Sequence, residues 1–225
     1  MYTVTLRPKR SAPRFRPGQF LHLALDAYDP SGFWPESRVF SIANSPLQRE
    51  PLRISYSVRG RFTARMEKEL VEGCQVWVKM PYGEFVVDNT GNVVLFAGGT
   101  GITAFTAFLD GLTPSSRHAV YLAYGARTRS LLIYRELVQQ RVQTVPSLHA
   151  SYFIEKDTET SLGMKKTDEL ENIGCLSVAA MWPKIKRPRE ATYYISGPPA
   201  MLQVISQDLR SMGIGAGAIK IDAWE

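Results

Sequence analysis

The sequence changes its pattern at a glycine-rich turn near the middle of the chain. The apolar run VVLFA, from Val93 to Ala97, has the length of a strand that is buried on both faces. It leads directly into GGTGIT and then into the predicted helix AFTAFLDGL. A buried strand, a tight turn and a helix in this order are typical of a βαβ unit, and they predict a parallel sheet.

The same alternation continues toward the C-terminus. Strands are predicted at AVYLAYGA, LHASYFIEK, TYYISG and AIKIDAWE, and helices at SLLIYRELVQQ and PAMLQVISQDLRSMG. A helix and a long basic loop are expected within residues 159–189. We therefore predict an α/β parallel-sheet, nucleotide-binding domain over residues 90–225.

The first part of the chain has the pattern of an antiparallel β domain. Short strands are predicted at YTVTL, GQFLHLAL, RVFSIA, LRISYSV, QVWVKMP and GEFVV, with turn residues between them. One helix is predicted in FTARMEKELVEG, with Thr63 as its N-cap and Gly73 at its end. This spacing favours a small barrel or sandwich over residues 1–89, and the turn sequence DNTGN marks the boundary.

Two turns of the second domain are candidate ligand sites. In GGTGIT, Gly99, Thr100 and Gly101 would let a phosphate approach the backbone at the start of a helix, although the spacing is not that of the usual dinucleotide fingerprint. In YYISGPPAML, Ser196 ends a strand at the sheet edge where ligands bind in such folds. The alternative for each is an ordinary tight turn between a strand and a helix.

The strand RVFS in the first domain presents three groups with distinct chemistry. The planar fork of Arg38 suits a pyrophosphate, the ring of Phe40 suits a flat heterocycle, and the hydroxyl of Ser41 suits a ring nitrogen. Because side chains alternate along a strand, Ser41 would need a twist or bulge to join the other two. The alternative is an exposed arginine beside a core phenylalanine.

Taken together, the motifs resemble those of the ferredoxin–NADP reductase-like superfamily of flavin oxidoreductases. RVFS is similar to its Arg-x-Tyr-Ser motif, and the other segments follow in the family's order. These segments are FRPGQF before RVFS, and then GRFT, MPYGEF, GGTGIT, YGARTRSLLIYREL and SGPPAM after it.

The resemblance implies that the N-terminal β-barrel is flavin-binding. Arg38 would bind the flavin phosphate, Phe40 would replace the tyrosine that packs on the isoalloxazine, and Ser41 would lie near N5. Gly60 and Thr63 of GRFT would hold the pyrophosphate, which favours FAD over FMN.

In the second domain, the resemblance implies that Gly99, Thr100 and Gly101 cradle the pyrophosphate of NADH or NADPH. Ser196, Gly197 and Pro198 would lie beside the nicotinamide, with Ser196 at a position where the family often has cysteine. Ser41 and Ser196 are therefore the two candidate catalytic residues. Trp224 is a candidate for the terminal aromatic residue that covers the flavin in plant-type members, with a packed strand residue as the alternative.

The choice of nicotinamide depends on Glu155, which follows the strand SYFI. A carboxylate there accepts hydrogen bonds from a ribose 2′-OH and repels a 2′-phosphate, and YFIEK resembles the corresponding segment of NADH-dependent cytochrome b5 reductases. Lys156, Arg127 and Arg129 could instead pair with a phosphate. The sequence favours NADH.

Composition limits the partners. The 225 residues carry a net charge of +6, with basic clusters near the start and at residues 184–189. An acidic acceptor protein fits this charge, a solvated basic face is the alternative, and no nucleic-acid-binding motif accompanies it. The two cysteines, Cys74 and Cys175, form no metal-ligand cluster, so no metal site is predicted. No transmembrane or signal segment is found, and a cytoplasmic location is expected.

The function predicted from these observations is hydride transfer from NAD(P)H to FAD, followed by electron transfer to an acceptor. The acceptor would be a ferredoxin, a flavodoxin, or a haem or oxygenase partner. The alternative is a flavin-binding electron-transfer or regulatory subunit, or a reductase module of a larger complex, without independent NAD(P)H turnover.

Overall fold

The computed structural model describes residues 2–156 and 170–222. Its first part contains five strands and one helix. They are β1 (Tyr2–Leu6), β2 (Phe20–Ala24), β3 (Ser37–Ser41), β4 (Leu52–Tyr56), α1 (Arg61–Glu69) and β5 (Trp77–Tyr82). Strands β1 and β4 form one antiparallel sheet, and the order β3-β2-β5 forms another.

One apolar core joins these two sheets and α1. Leu21 and Leu23 alternate inward along β2, and Ile54 does the same on β4, each fully buried. Phe62 and Met66 lie four residues apart on α1, so the same face of the helix covers this core. The prediction of an antiparallel β domain is therefore confirmed.

Two local predictions in the first part are wrong. GEFVV is not a strand, because β5 ends at Tyr82 and the segment leaves the sheet. Its Phe85 and Val87 pack instead against an apolar cluster that includes Leu95 and Phe105. Thr63 is not the N-cap of α1, because the helix begins at Arg61 after Gly60, and it ends at Glu69 rather than at Gly73.

The second part contains an α/β unit with a parallel sheet. Its elements are β6 (Val93–Gly98), α2 (Thr103–Gly111), β7 (Val120–Ala126), α3 (Arg135–Thr144), β8 (Leu148–Ile154), β9 (Glu171–Ile173), α4 (Val178–Met181), β10 (Thr192–Ser196), α5 (Pro199–Ser211) and β11 (Ile219–Asp222). The order is β11-β10-β6-β7-β8-β9, and every pair is parallel. This confirms the predicted fold class.

The sheet is covered on both faces. Phe105 of α2 and Val138 of α3 pack on one face, and Met181 of α4 and Leu209 of α5 pack on the other. Strands β6 and β7 are buried along their whole length, which explains their continuous apolar sequences.

Two details of the second part differ from the sequence prediction. The helix predicted at SLLIYRELVQQ begins only at Arg135, because residues 129–131 form a short 3-10 turn before it. The short edge strand β9 was not expected within residues 159–189. Residues 157–169 and Trp224 lie outside the described residues. The predicted boundary between residues 89 and 90 lies between β5 and β6 and stays a prediction.

Polar contacts join the two parts along one seam. The carboxylate of Asp110 on α2 accepts a hydrogen bond from the Ser45 backbone N–H at 3.1 Å, and it pairs with Arg53 at 3.3 Å and with Arg141 at 2.9 Å. Nearby, the hydroxyls of Ser55 and Tyr134 lie 2.5 Å apart. The seam thus ties β4 of the first part to α2 and α3 of the second.

Within residues 2–156 and 170–222, no helix has the length and apolar character needed to span a bilayer.

Candidate active site

A cleft of about 430 Å³ lies between the two parts of the molecule. One wall comes from the ends of β3 and β4 and the start of α1, and the other from the carboxyl ends of β6 and β10. The lining residues of the first part are Val39, Phe40, Ser41, Ser55, Tyr56, Ser57, Arg59 and Thr63. Those of the second part are Gly98, Gly99, Thr100, Gly101, Thr103, Ser196, Gly197, Pro198 and Pro199.

The glycine turn after β6 forms one end of the second wall. Gly99 has φ of +54°, a left-handed conformation that glycine adopts without strain, and a Cβ there would meet no atom within 4 Å. Gly101 is needed for a different reason, because a Cβ there would lie 2.2 Å from the carbonyl oxygen of Ser196. The turns after β6 and β10 are therefore packed directly against each other.

Ser196 is fully buried at the end of β10, and its hydroxyl donates to Oδ2 of Asp222 at 2.8 Å. Asp222 lies on the neighbouring strand β11 and is only 6% exposed. Because the Ser196 hydroxyl donates its only proton to Asp222, its oxygen presents only lone pairs to other groups. Sequence reasoning missed Asp222, since nothing in the sequence indicated that the last strand pairs with β10.

Phe40 and Ser41 both line the cleft, although neighbouring residues of a strand face opposite sides. Ser41 is the last residue of β3, so the alternation ends there. Both side chains are almost buried, at 8% and 6% exposure. Phe40 thus belongs to the core and also lines the cleft. From the sequence, these two positions were alternatives.

Tyr56 was not predicted and lies beside Phe40. The two ring centroids are 6.1 Å apart, with an edge-to-face angle of 64°. Burial raises the pKa of Tyr56, with a smaller contribution from the charge of Glu67, so the phenol keeps its proton at neutral pH. Ser57 and Arg59 also line the cleft and were not predicted. Their position just before the GRFT motif could have indicated that they lie near the same site.

The GRFT segment forms a tight loop at the start of α1. The Thr63 hydroxyl accepts hydrogen bonds from the backbone N–H groups of Arg59 at 2.9 Å and Gly60 at 3.1 Å. Thr63 lines the cleft, whereas Gly60 does not. A Cβ on Gly60 would meet nothing within 4 Å, so its backbone faces open space.

Arg38 lies outside the cleft lining, on the exposed side of β3. Its guanidinium contacts Oε1 of Glu36 at 3.1 Å and stacks over the ring of Phe62 at 5.3 Å. Arg61 also contacts Glu36, at 3.3 Å. Glu36 therefore pairs with two exposed arginines. A phosphate that replaced Glu36 as their partner would have two guanidinium groups nearby.

Glu155 is exposed and follows β8, and it is not one of the residues that line the cleft. Its backbone N–H donates to the carbonyl of Ala126 at 3.1 Å, so it lies beside the end of β7. Arg129 is held elsewhere, because its guanidinium pairs with Glu171 at 2.8 Å. The Glu171 side chain is 2% exposed and also binds Arg135 at 2.7 Å.

The residues present fit a flavin and a nicotinamide ring. The open backbone at Gly99 leaves room for a phosphate group in the cleft, and the open backbone at Gly60 leaves room for another beside Thr63, which lines the cleft. Between them, Phe40 and Tyr56 offer flat apolar surface. Among residues 2–156 and 170–222, no three His, Cys, Asp or Glu side chains are grouped so that they could hold a metal ion.

Comparison with known proteins is consistent with this geometry. The family model described as "Oxidoreductase NAD-binding domain" matches residues 95–207. The phenol hydroxylase P5 protein of Acinetobacter pittii is 31% identical over 138 residues, which cover 59% of this chain and 37% of the relative. The toluate 1,2-dioxygenase electron transfer component of Pseudomonas putida is 25% identical over 207 residues, 89% of this chain and 56% of the relative.

Solved structures show the same fold. The flavohem-like FAD/NAD-binding domain of nitric oxide dioxygenase from Vibrio cholerae O1 biovar El Tor superimposes with a TM-score of 0.76 at 17% identity. The match covers 99% of this chain and 91% of that domain. The chain spans only about a third to three fifths of the length of its curated relatives, from 37% to 61%.

Proposed function

The chain belongs to the oxidoreductase NAD-binding domain family, within the ferredoxin–NADP reductase-like superfamily, and from this premise we propose that it is a flavin-dependent reductase. It would take a hydride from NAD(P)H onto FAD and pass electrons to an acceptor. The observation that carries the proposal is that Phe40 and Ser41 from one part line the same cleft as Gly99, Gly101 and Ser196 from the other.

The chain's own residues would hold two rings in contact. FAD supplies the hydride and electron chemistry when it is bound. Phe40 and Tyr56 pack against a flat ring, and the Ser41 hydroxyl is available to a ring nitrogen. Arg38, Gly60 and Thr63 bind the diphosphate of FAD, with Arg38 leaving Glu36 or sharing it.

The opposite wall would bind the nicotinamide nucleotide. Backbone N–H groups at Gly99, Thr100 and Gly101 hold its diphosphate at the start of α2. Gly197 and Pro198 shape the ring site next to Ser196, whose hydroxyl is held by Asp222. Packing of Gly101 on Ser196 fixes the distance between the diphosphate site and the ring site.

NADH is proposed as the preferred reductant. Glu155 stands exposed at the end of β8, where a carboxylate favours a ribose 2′-OH. Of the basic residues that could bind a 2′-phosphate, Arg129 is engaged by the buried Glu171. The ratio of kcat/KM for NADH and NADPH tests this proposal. We expect a ratio above one that falls in Glu155→Ser, and a wild-type preference for NADPH would contradict it.

The proposed acceptor is an acidic protein or domain, with an oxygenase system as the leading candidate. Two relatives carry oxygenase names, phenol hydroxylase P5 protein and toluate 1,2-dioxygenase electron transfer component. The basic residues near the start are all exposed and could attract an acidic surface; these are Arg7, Lys9, Arg10, Arg14 and Arg16. A cytoplasmic location is part of the same proposal.

Purified protein reconstituted with FAD tests the main proposal. We expect a yellow protein whose visible flavin absorption bleaches when NADH is added without oxygen. A protein that retains FAD but does not bleach with either nucleotide would favour the alternative, an electron-transfer or regulatory subunit. A protein that takes up no flavin would contradict both.

A further inference from the structure

The lining of the cleft is almost uncharged. Of the lining residues that the structure describes, Arg59 alone is charged at neutral pH, and the others are apolar, hydroxyl-bearing or glycine. Arg59 belongs to the first part and comes directly before Gly60, the residue that precedes α1. It lies between the predicted strand LRISYSV and the GRFT motif, and neither of them includes it. A negatively charged ligand that enters the cleft therefore meets one cation.

The guanidinium of Arg59 has no acidic partner. Across the described ranges, no carboxylate lies within ion-pair distance of it, and the residue is exposed. The neighbouring arginines differ in this respect, because Arg38 and Arg61 both contact Glu36, at 3.1 Å and 3.3 Å. Arg59 can therefore bind an anion without giving up an existing ion pair.

The backbone of Arg59 is held in place by Thr63. The Arg59 N–H donates to the Thr63 hydroxyl at 2.9 Å, and the Gly60 N–H donates to the same oxygen at 3.1 Å. That hydroxyl donates in turn to the carbonyl of Gly60 at 3.1 Å. These three hydrogen bonds fix the loop at the start of α1, so the Arg59 side chain leaves the backbone from a defined position beside Thr63, which also lines the cleft.

The surroundings of Arg59 suit an anion with several oxygens. A guanidinium presents its donors in a planar fork that can bind two phosphate oxygens at once. Helix α1 has no acidic residue in its first turn, so the partial positive charge of its N-terminus is not neutralised there. The backbone of Gly60 is open, since a Cβ there would meet no atom within 4 Å. A diphosphate has enough oxygens to contact the fork and the open backbone together.

We propose that Arg59 is the principal charged contact of the FAD diphosphate in this chain. The assignment rests on the proposed function, because it requires FAD in the cleft. It goes beyond that function by placing the main charge on a residue outside the motifs that resemble the superfamily. Arg38 can contribute only by leaving Glu36 or sharing it, whereas Arg59 has no such competitor.

Fluorescence titration of the flavin-free protein with FAD tests the proposal. Arg59→Met should weaken FAD binding about 30-fold, because it removes hydrogen bonds to a charged group. Arg59→Lys keeps the charge without the fork and should bind FAD with intermediate affinity. Arg38→Met should cause a smaller loss than Arg59→Met. Lys68→Met is the matched control, since it removes one exposed positive charge from the other end of α1, and its FAD affinity should stay within about twofold of the parent value.

Two further measurements separate phosphate binding from a structural role. Flavin-free Arg59→Met should unfold at the same temperature as the parent protein, because its guanidinium pairs with no carboxylate in the described ranges. The FAD affinity of the parent should fall as the salt concentration rises, and this dependence should be weaker in Arg59→Met. A lowered unfolding temperature together with an unchanged salt dependence would show that Arg59 only supports the loop, and it would overturn the proposal.

The remaining outcomes also decide the assignment. Equal FAD affinity in Arg59→Met and Lys68→Met would show that the guanidinium does not contact the diphosphate. Unchanged FAD affinity with a raised KM for NADH in Arg59→Met would place the residue on the nicotinamide nucleotide instead. Both results would overturn the assignment and leave the proposed function intact, whereas a parent protein that takes up no FAD would contradict the two together.

Discussion

The two parts of the molecule build their walls of the cleft by different means. The first part uses side chains at the ends of antiparallel strands, chiefly Phe40, Ser41 and Tyr56. The second part uses two turns in which four of the nine lining residues are glycines, and we call this side the backbone wall. A substitution in the side-chain wall changes the cleft at one residue. The shape of the backbone wall depends instead on how closely the turns after β6 and β10 approach each other.

Gly101→Ala should have the largest effect, because it separates the two turns of the backbone wall. The added Cβ would lie 2.2 Å from the carbonyl oxygen of Ser196, so the backbone must shift. A displacement of this kind costs about 2–3 kcal/mol of folding free energy and about 100-fold in flavin reduction by NADH. Thermal unfolding and anaerobic stopped-flow reduction measure the two effects.

The control for this change is Gly217→Ala, where an added Cβ meets nothing within 4 Å. It should leave both the stability and the reduction rate close to those of the parent protein. Equal behaviour of the two variants would show that the contact between the turns does not set the geometry of the cleft.

Phe40→Ala tests the side-chain wall. Because Phe40 belongs to the core of the first part and also faces the cleft, its truncation should lower the free energy of unfolding by about 3 kcal/mol. FAD retention should fall about tenfold, while binding of an adenine nucleotide to the second part should be unchanged. Phe33→Ala, at a fully exposed residue, is the control. Loss of nucleotide binding in Phe40→Ala would mean that the two walls are not separable.

The pair Ser196 and Asp222 is the exception in the backbone wall, because its chemistry depends on side chains. Ser196→Ala removes this hydrogen bond, and Asp222→Asn replaces its carboxyl acceptor with an amide, so each should slow flavin reduction about tenfold. The double variant should be little worse than either single one, with a coupling energy of about 1–2 kcal/mol. Additive losses would show that the two residues act separately.

The exposed pair of Arg38 and Glu36 comes last, because Glu36→Gln has the smallest expected effect. Arg38→Ala should weaken FAD binding about tenfold through loss of a charged donor to phosphate. Glu36→Gln should tighten it by at most about fivefold, because an exposed ion pair stabilises the protein by no more than about 1 kcal/mol. Arg187→Ala removes a comparable exposed pair with Glu190 and is the control. Unchanged FAD affinity in Arg38→Ala would exclude Arg38 from the phosphate site.

The same difference between the walls explains what the sequence could predict. A glycine turn between a buried strand and a helix is typical of a βαβ unit. GGTGIT and SGPP therefore predicted both the parallel-sheet fold class and the residues of the second wall. Helix boundaries at Thr63 and Arg135 were harder, because short 3-10 turns and loop hydrogen bonds compete with the start of a helix.

Contacts between distant segments were beyond sequence reasoning. Asp222 meets Ser196 only because β11 pairs with β10, and Tyr56 reaches the cleft only because β4 ends beside β3. The sharing of Glu36 between Arg38 and Arg61 likewise depends on the approach of α1 to β3. The sequence motifs indicated which residues have suitable chemistry, and tertiary packing decided which of them meet.

The central claim is that the two walls bring a flavin ring and a nicotinamide ring into contact. The most direct measurement is the absorption spectrum after rapid anaerobic mixing of the FAD-loaded protein with NADH. Ring contact predicts a transient long-wavelength charge-transfer band that precedes bleaching of the flavin and is greatly reduced in Gly101→Ala. If the flavin bleaches at the same rate in the parent protein and in Gly101→Ala, and neither shows this band, the claim of ring contact is contradicted.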